Sequence, residues 1–600
     1  MADNSDLSTR YTRDVFIREA ESMLGVIRSC QELEDARRAL YHHVSDLYFD
    51  RLSETGKLSS TQRIRLRDCT AAFRSMLLPR SARVAGFDLV QALWDVSRGI
   101  ARPDLEPGFW AEMIHMVRGL SGHSPITPIE EDDIFEELTG REAAQARSNE
   151  LDALWSRVER YFSRYPDGLS DAARARRDAR RAHVLQVLGG TPSEWQDWLW
   201  QRDHVITDPD LLARLVRLPE AQLDNIRRMR AGRLPFGLTP YYASLLDDDP
   251  EAGRDRALRF QVLPPAHYVE SMLELRHQRQ ESFDFMREVD TSPVDLVTRR
   301  YPAIVILKPY NTCPQICVYC QRNWEIEEAM AGNALASDAD IKQAVRWIAE
   351  RPFIREVLIT GGDPLTLDDG ILRHILQQVA AIPQVDLIRI GSRTPVTMPM
   401  RITPELAALL GGFREPGRRD ICLVTHLEHP YEITDATVTA IDRLRRQGVA
   451  VYNQQVFNFF VSRRFESAAL RMLMRRIGID PYYTFMPKGK DETAEYLVPL
   501  ARILQERKEE ARLLPGIRRT DEPVFNVPRL GKNHVRAAQH RDLLAILPNG
   551  SRVNEFHPWE KNIVERSPYL AVDIPILDYL ARLAAIGEDP DKYSSIWYYF

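Results

Sequence analysis

Between residues 303 and 485, short apolar runs alternate with amphipathic stretches, and this alternation limits the possible fold more than any other feature of the chain. Candidate strands fall at 303–308, 356–360, 386–390, 421–425, 449–454 and 481–485. Helical spacing of apolar residues falls between them, at 338–350, 368–381, 404–410, 435–446 and 466–477. Strands separated by helices of this length predict parallel βαβ units. Such units open into a doubly wound sheet or curl into a complete or partial barrel, and either way ligands gather at the strands' C-terminal ends.

The chemistry-bearing residues sit at those ends. Cys313, Cys317 and Cys320 follow the first strand in a C-x3-C-x2-C spacing. Gly361-Gly362-Asp363 follows the second, Ser392-Arg393-Thr394-Pro395 the third and His426 to His429 the fourth. Gln454 closes the fifth, and Lys488 and Lys490 follow the sixth. A Gly-Gly turn or a single His is by itself ordinary turn or core chemistry. Polar clusters at six equivalent strand ends mark a site.

The cysteine triplet has no neighbouring fourth ligand: residues 291–330 contain no His, and Cys422 lies far along the chain in an apolar segment. A cubane iron–sulfur cluster normally takes four thiolates, so three would leave one iron open to a further ligand. The rival is structural zinc, which wants four ligands and usually takes them as two separated pairs. The spacing favours the cluster.

The rest of the chain bounds the problem. Six hundred residues imply two to four domains. A net charge of −6 gives no electrostatic case for nucleic-acid binding. Six cysteines in so long a chain are no disulfide framework, and the polar N-terminus and lack of a long apolar run predict a cytoplasmic protein without a membrane span. Residues 1–189 read as an all-helical domain of unknown role, and 119–137 as a Pro-rich, acidic connector or, from Thr127-Pro128, the start of a helix. The run Arg174-Ala-Arg-Arg-Asp-Ala-Arg-Arg181 reads as a solvated helix face, since Asp171 and Asp178 interrupt it and no aromatics interleave. Ser193 is placed to cap a helix carrying Trp195, Trp198 and Trp200. Residues 190–297 lead into the core at 298–545, and 546–600 form a tail that packs on the core or a neighbour.

Taken together, the motifs resemble the lysine 2,3-aminomutase family of radical S-adenosylmethionine (SAM), pyridoxal phosphate (PLP) enzymes. The matching stretches are Arg300-Tyr-Pro302, Leu358-Ile-Thr-Gly-Gly-Asp-Pro-Leu365, Ile388-Arg-Ile-Gly-Ser-Arg-Thr-Pro-Val396, Arg401-Ile-Thr-Pro-Glu-Leu406, Thr425-His-Leu-Glu-His-Pro-Tyr-Glu-Ile-Thr434, Asn453-Gln-Gln-Val456 and Asp480-Pro-Tyr-Tyr483. The resemblance runs from about residue 190 to about 545 and leaves the N-terminal third unexplained. The resemblance implies an α/β partial (β/α)6 barrel preceded by a large helical region. It implies that Cys313, Cys317 and Cys320 hold a [4Fe–4S] cluster. Gly361, Gly362 and Asp363 would line the SAM amino group, with His426 and Gln454 as further SAM neighbours. Arg322 would grip the substrate α-carboxylate through a bidentate guanidinium fork. Lys532 is the implied Schiff-base lysine for PLP, although the family's glycine-rich loop is reduced here to Gly531.

Departures from the family bear on the substrate. Where lysine-specific members place two aspartates around the substrate ammonium, this chain has Lys488 and Asn526. A cation facing another ammonium in a poorly solvated pocket repels it, so the pair suits a side-chain carboxylate and resembles glutamate 2,3-aminomutases. The implied activity is an isomerase that moves an α-amino group to the β-carbon, glutamate first among substrates, with a small electron donor such as flavodoxin or ferredoxin. Alternatives are a radical SAM aminomutase acting on lysine or another amino acid, one acting on a protein-bound residue, and a non-enzymatic iron–sulfur sensor or scaffold. A homo-oligomer is compatible with all of these. The family's C-terminal cysteine cluster, associated with zinc, is absent, and the chain instead ends Ile596-Trp-Tyr-Tyr-Phe600.

Overall fold

The computed structural model describes residues 7–53, 58–122, 138–511, 513–537, 540–558 and 564–600. Most of the connector expected at 119–137, with its Thr127-Pro128 signal, lies outside these residues. The chain divides into two compact units: Glu159–Leu497 with Arg512–Lys532, and Met1–Val158 with Val498–Ala511 and Asn533–Phe600. These cuts differ from the boundaries expected at 189 and 545, because each unit is assembled from segments distant in sequence.

In the Glu159–Lys532 unit, β1 (Val297–Thr298) pairs antiparallel with β2 (Ile304–Tyr310). From β2 the sheet continues in parallel through β3 (Glu356–Gly361), β4 (Leu387–Gly391), β5 (Asp420–Thr425), β6 (Ala450–Val456), β7 (Asp480–Phe485) and β8 (Glu522–Val527). The strand order follows the sequence through β9 (Gly531–His534). The result is a partial barrel with helices between strands, and all six expected strands are present within two residues of their expected ends. It has one parallel strand more than expected. Residues 522–527, in the stretch that corresponds to the family's glycine-rich loop, are β8: Pro523 and Pro528 punctuate it like a loop, but Val524 and Val527 are fully buried and Val524 registers with Phe485.

Alternation of side chains along the strands sorts them by face. Val305, Leu307, Val357, Ile359, Ile388 and Ile390 are fully buried, while Ile306, Leu358 and Gly391 turn into a cavity. Ahead of the barrel the chain is helical. Thr191, rather than Ser193, caps Pro192–Trp195, and Asp197 caps a second helix, Trp198–Asp203. Trp195 and Trp200 are buried, and Arg401 lies over the Trp198 ring. The basic run lies on Asp171–Leu188 and is a solvated face at Arg174, Asp178 and Arg181, but not at Arg177 and Arg180. Arg174 pairs with Asp435 at 2.8 Å, Arg177 donates to the Gly168 carbonyl, and Arg180 is buried against the Leu215 carbonyl and Asp248.

The other unit is helical over most of residues 7–158. It gains an antiparallel sheet from β10 (Arg541–Ile546), β11 (Arg552–Phe556) and β12 (Tyr569–Val572). Buried Arg552 and Glu112 form a two-pronged ion pair, 2.8 Å at each oxygen. The aromatic tail packs here, on its own chain's helices: Trp597 stacks on His115 with centroids 4.7 Å apart. Burial lowers the His115 pKa to about 3 and keeps the ring neutral. No helix of the described residues is long and apolar enough to cross a membrane.

Candidate active site

The cysteine loop leaves the end of β2 and is held from both sides. The Ile316 and Val318 amides donate to the carbonyls of Gly237 (3.0 Å) and Gln261 (2.8 Å), and Thr312 Oγ1 donates to the Glu328 carbonyl. Ile316, Ile326 and Ala329 form a small buried cluster against which Cys313 and Cys320 pack. The three cysteines line a cavity of ≈ 320 Å³ at the C-terminal ends of the strands. This is the size of a small-molecule site.

The glycines after β3 are there for backbone approach. Gly361 adopts φ +117°, and a Cβ on Gly362 would stand 1.9 Å from the Thr312 carbonyl oxygen. Without side chains, the turn lies against the strand end before Cys313, with the Gly362 amide donating to the Tyr310 carbonyl at 2.7 Å and the Asp363 amide to that of Thr312 at 2.9 Å. Asp363 lines the cavity, but its carboxylate is engaged by Ser392 Oγ (2.6 Å) and the amides of Arg393 (2.9 Å) and Leu365 (3.2 Å). His426 and Gln454 reach the same cavity. Gln454 stands at a register irregularity between β6 and β7, a device that re-aims a side chain at a strand end. Burial, reinforced by Arg393, lowers the His426 pKa to about 4, so the ring is neutral.

Two cations also face the cavity. Arg322 is paired with Glu288 at 3.1 Å and with Glu325, while its Nε is buried without a partner. Glu288 also meets Lys308 at 2.6 Å. Burial would raise its carboxyl pKa, but Arg322, Lys308 and Arg300 pull it down to about 2. Lys488 donates to Gln321 Oε1. Among the described residues it pairs with no carboxylate, and burial, with Lys490 and Arg300 nearby, lowers its pKa well below the usual lysine value. Lys490 is buried against Glu492 (2.6 Å), Asn323 Oδ1 (2.7 Å) and the Cys320 carbonyl (3.2 Å). Asn526, on β8, lines the same cavity. Lys532 stands apart from its lining residues, with its ammonium 5.1 Å and 4.9 Å from the ring centres of Tyr301 and Tyr483. Burial first, then Arg389 and Arg300, lowers its pKa to about 8.

Glu288, Gln321 and Tyr319 belong to the site although sequence reasoning passed them over. Gln321 had a signal, lying between Cys320 and Arg322. Glu288 had none, since it comes from the helical segment before the barrel.

Residues 307–453, which carry the cysteine loop and the glycine turn, match the radical SAM superfamily. An uncharacterised KamA family protein of Methanocaldococcus jannaschii is 42% identical over 596 residues, covering 96% of this chain and 95% of its own. The chain belongs to the KamA family. A glutamate 2,3-aminomutase of Clostridioides difficile is 34% identical over 318 residues, 53% of this chain and 71% of its own. An L-lysine 2,3-aminomutase of Bacillus subtilis is 31% identical over 326 residues, 54% of this chain and 65% of its own. KamA relatives of named activity are radical SAM aminomutases, which work with a [4Fe–4S] cluster, SAM and PLP, and the chain is accordingly an enzyme of the isomerase class.

The residues present fit those groups. Thiolates sharing one tetrahedral zinc lie about 3.8 Å apart, from Zn–S bonds of about 2.3 Å. Among the described residues, the one group of three or more His, Cys, Asp and Glu ligand atoms that all lie within 4.8 Å of one another is Asp542, Glu555 and His557, in the other unit. Cys313, Cys317 and Cys320 line one cavity that Cys422, buried on β5, does not reach, and three thiolates without a fourth suit a cluster with one open iron. Around Lys532, Arg300 Nε and Arg389 Nε are buried without partners, which suits an anionic phosphate.

Proposed function

We propose that this KamA-family protein is a 2,3-aminomutase of an acidic α-amino acid, glutamate first. The observation that carries the reading is Lys488, a half-buried lysine without a carboxylate partner among the described residues, in the cavity that also holds Arg322. A substrate bearing a carboxylate at each end supplies a counter-charge to Lys488 and an acceptor for the unpartnered Nε of Arg322. A lysine substrate would set a second ammonium against Lys488 in a poorly solvated space.

In this reading Cys313, Cys317 and Cys320 hold the cluster, Gly361, Gly362, Asp363, His426 and Gln454 surround SAM, and Lys532 holds PLP. Together those groups supply a hydrogen-abstracting adenosyl radical and a carrier for the migrating nitrogen. The chain's own residues bind and aim. Arg322 takes the α-carboxylate through donors that include its unpartnered Nε. Lys488, steadied by Gln321, takes the side-chain carboxylate with Asn526 beside it. Asp363 keeps the glycine turn seated through its bonds to Ser392 and Arg393. Ile306, Leu358 and Val424 give the cavity apolar walls that limit water around reactive species. Lys532, with a pKa of about 8, holds a useful fraction of free amine near neutral pH.

Formation of 5′-deoxyadenosine under anaerobic, reducing conditions tests the substrate class. Glutamate is expected to stimulate it well above the substrate-free rate, and lysine is not. Stimulation by lysine alone would refute the acidic-substrate reading, and stimulation by none of the free amino acids would favour a protein-bound substrate.

A further inference from the structure

Arg393 follows β4 and is buried, and its donors are distributed in an informative way. Nη2 donates to Glu432 Oε1 at 2.6 Å and to Gln261 Oε1, with Tyr242 Oη at 3.4 Å. Nε donates to the His426 carbonyl at 3.1 Å, and the backbone amide is held by Asp363 Oδ2 at 2.9 Å. Glu432 is itself fixed. Its Oε1 also accepts from Tyr242 Oη (2.7 Å) and Gln261 Nε2 (3.1 Å), and its Oε2 from the amides of Glu428 (2.7 Å) and His429 (3.2 Å). A guanidinium pinned at Nε and Nη2 has no freedom to turn. Its Nη1 points at Cys317 Sγ, 2.9 Å away. An arginine serving only to neutralise Glu432 would place both η nitrogens on that carboxylate, the usual bidentate arrangement. This one gives Nη1 to the sulfur.

We propose that Arg393 is a positioning residue for the cluster: its Nη1–H bond to the Cys317 sulfur holds that thiolate in place and raises the cluster's reduction potential. The proposal rests on Cys313, Cys317 and Cys320 being cluster ligands. One-electron reduction by an external low-potential donor adds negative charge to the cluster and its sulfurs. A fixed cation and N–H donor stabilise that more negative form, and hydrogen bonds to sulfur are among the main controls of cluster potential. The effect is strong because the site is buried and the local dielectric low. The three sulfurs differ in this respect. Cys320 Sγ accepts the Arg322 backbone amide at 3.3 Å, whereas Cys317 takes the charged donor.

The test reads the cluster and not turnover. Full-length wild type, Arg393→Gln and Arg393→Lys are reconstituted anaerobically, assayed for iron and sulfide, and titrated redox-potentiometrically by electron paramagnetic resonance. Arg393→Gln that holds wild-type iron should show at least a tenfold lower reduced-to-oxidised ratio at fixed potential, equivalent to 59 mV for a one-electron couple. Arg393→Lys should fall between. A loaded Arg393→Gln with an unchanged or higher potential overturns the proposal. A second measurement needs no variant: in wild type grown with guanidino-15N arginine, pulsed resonance of the reduced cluster should show coupling to 15N. Absence of that coupling also overturns it, even where Arg393→Gln fails to fold. Failure of the underlying reading looks different, as wild-type protein that takes up no cluster.

Discussion

Burial lowers the pKa of both Lys488 and Lys532, but the two lysines differ in what relieves them. Lys532 can shed its proton: with a pKa of about 8 in place of the ordinary 10.5, covalent capture of PLP should rise as pH increases through about 8 and level off above it. The visible absorbance of bound PLP, with borohydride trapping and peptide mapping to Lys532, follows this directly. A midpoint near 10, or label on another lysine, would contradict it. Lys488 is relieved instead by a partner carboxylate. Lys488→Met should lower kcat/KM on glutamate about 100-fold, from the roughly 2–3 kcal/mol that a hydrogen bond to a charged partner contributes. Glu428 makes a third case. Burial raises its pKa from 4.5 to about 8 against the pull of Arg393. Its contribution to stability is therefore full below 4.5 and lost as pH rises through about 8. Glu428→Gln should leave the protein more stable than wild type at pH 9, by roughly 1–3 kcal/mol, and flatten the alkaline decline in thermal melts. These charge states could not be read from sequence, since each depends on neighbours brought in by other elements.

At the scale of elements, the glycine turn is the most exacting joint. A methyl on Gly362 meets the Thr312 backbone, whereas one on Gly332 meets nothing within 4 Å. Gly362→Ala should cost about 1–3 kcal/mol or more and lower iron uptake, because it forces β3 away from the segment leading to Cys313. Gly332→Ala should stay within about 0.5 kcal/mol of wild type, and urea melts with iron analysis separate the two. The turn's place after a strand was legible in the sequence, as were β2 to β7, because period-2 runs and 3.6-period helices announce themselves locally. The exception was β8, where Pro523 near its start and Pro528 just past its end imitate a loop. The cysteine spacing was legible for the same local reason. The contacts of Glu288 with Arg322 and of Arg393 with Cys317 were not, since they join residues 34 and 76 apart along the chain.

On the scale of the whole molecule, the C-terminal segments complete a unit begun by the N-terminal helices. Glu112 and Arg552 meet across 440 residues of sequence, and no periodicity or motif forecasts such a pairing. The aromatic ending looked like a surface for a neighbour because it is apolar and terminal. Its burial against His115 and Tyr11 gives it an intramolecular role instead. Trp597→Ala should destabilise this unit by about 3–5 kcal/mol, seen as an earlier unfolding transition by calorimetry. The match to the Methanocaldococcus protein runs through both units, whereas the two named aminomutases match about half of the chain. The central claim, an amino-group migration on an acidic substrate, is tested most directly by product. Reconstituted, reduced enzyme with SAM and PLP is incubated with 15N-labelled glutamate, aspartate, lysine or arginine, and the position of the label is read by nuclear magnetic resonance. The account expects β-glutamate carrying 15N at the β-carbon from glutamate and no β-lysine from lysine. Label that stays on the α-carbon of every amino acid would contradict it.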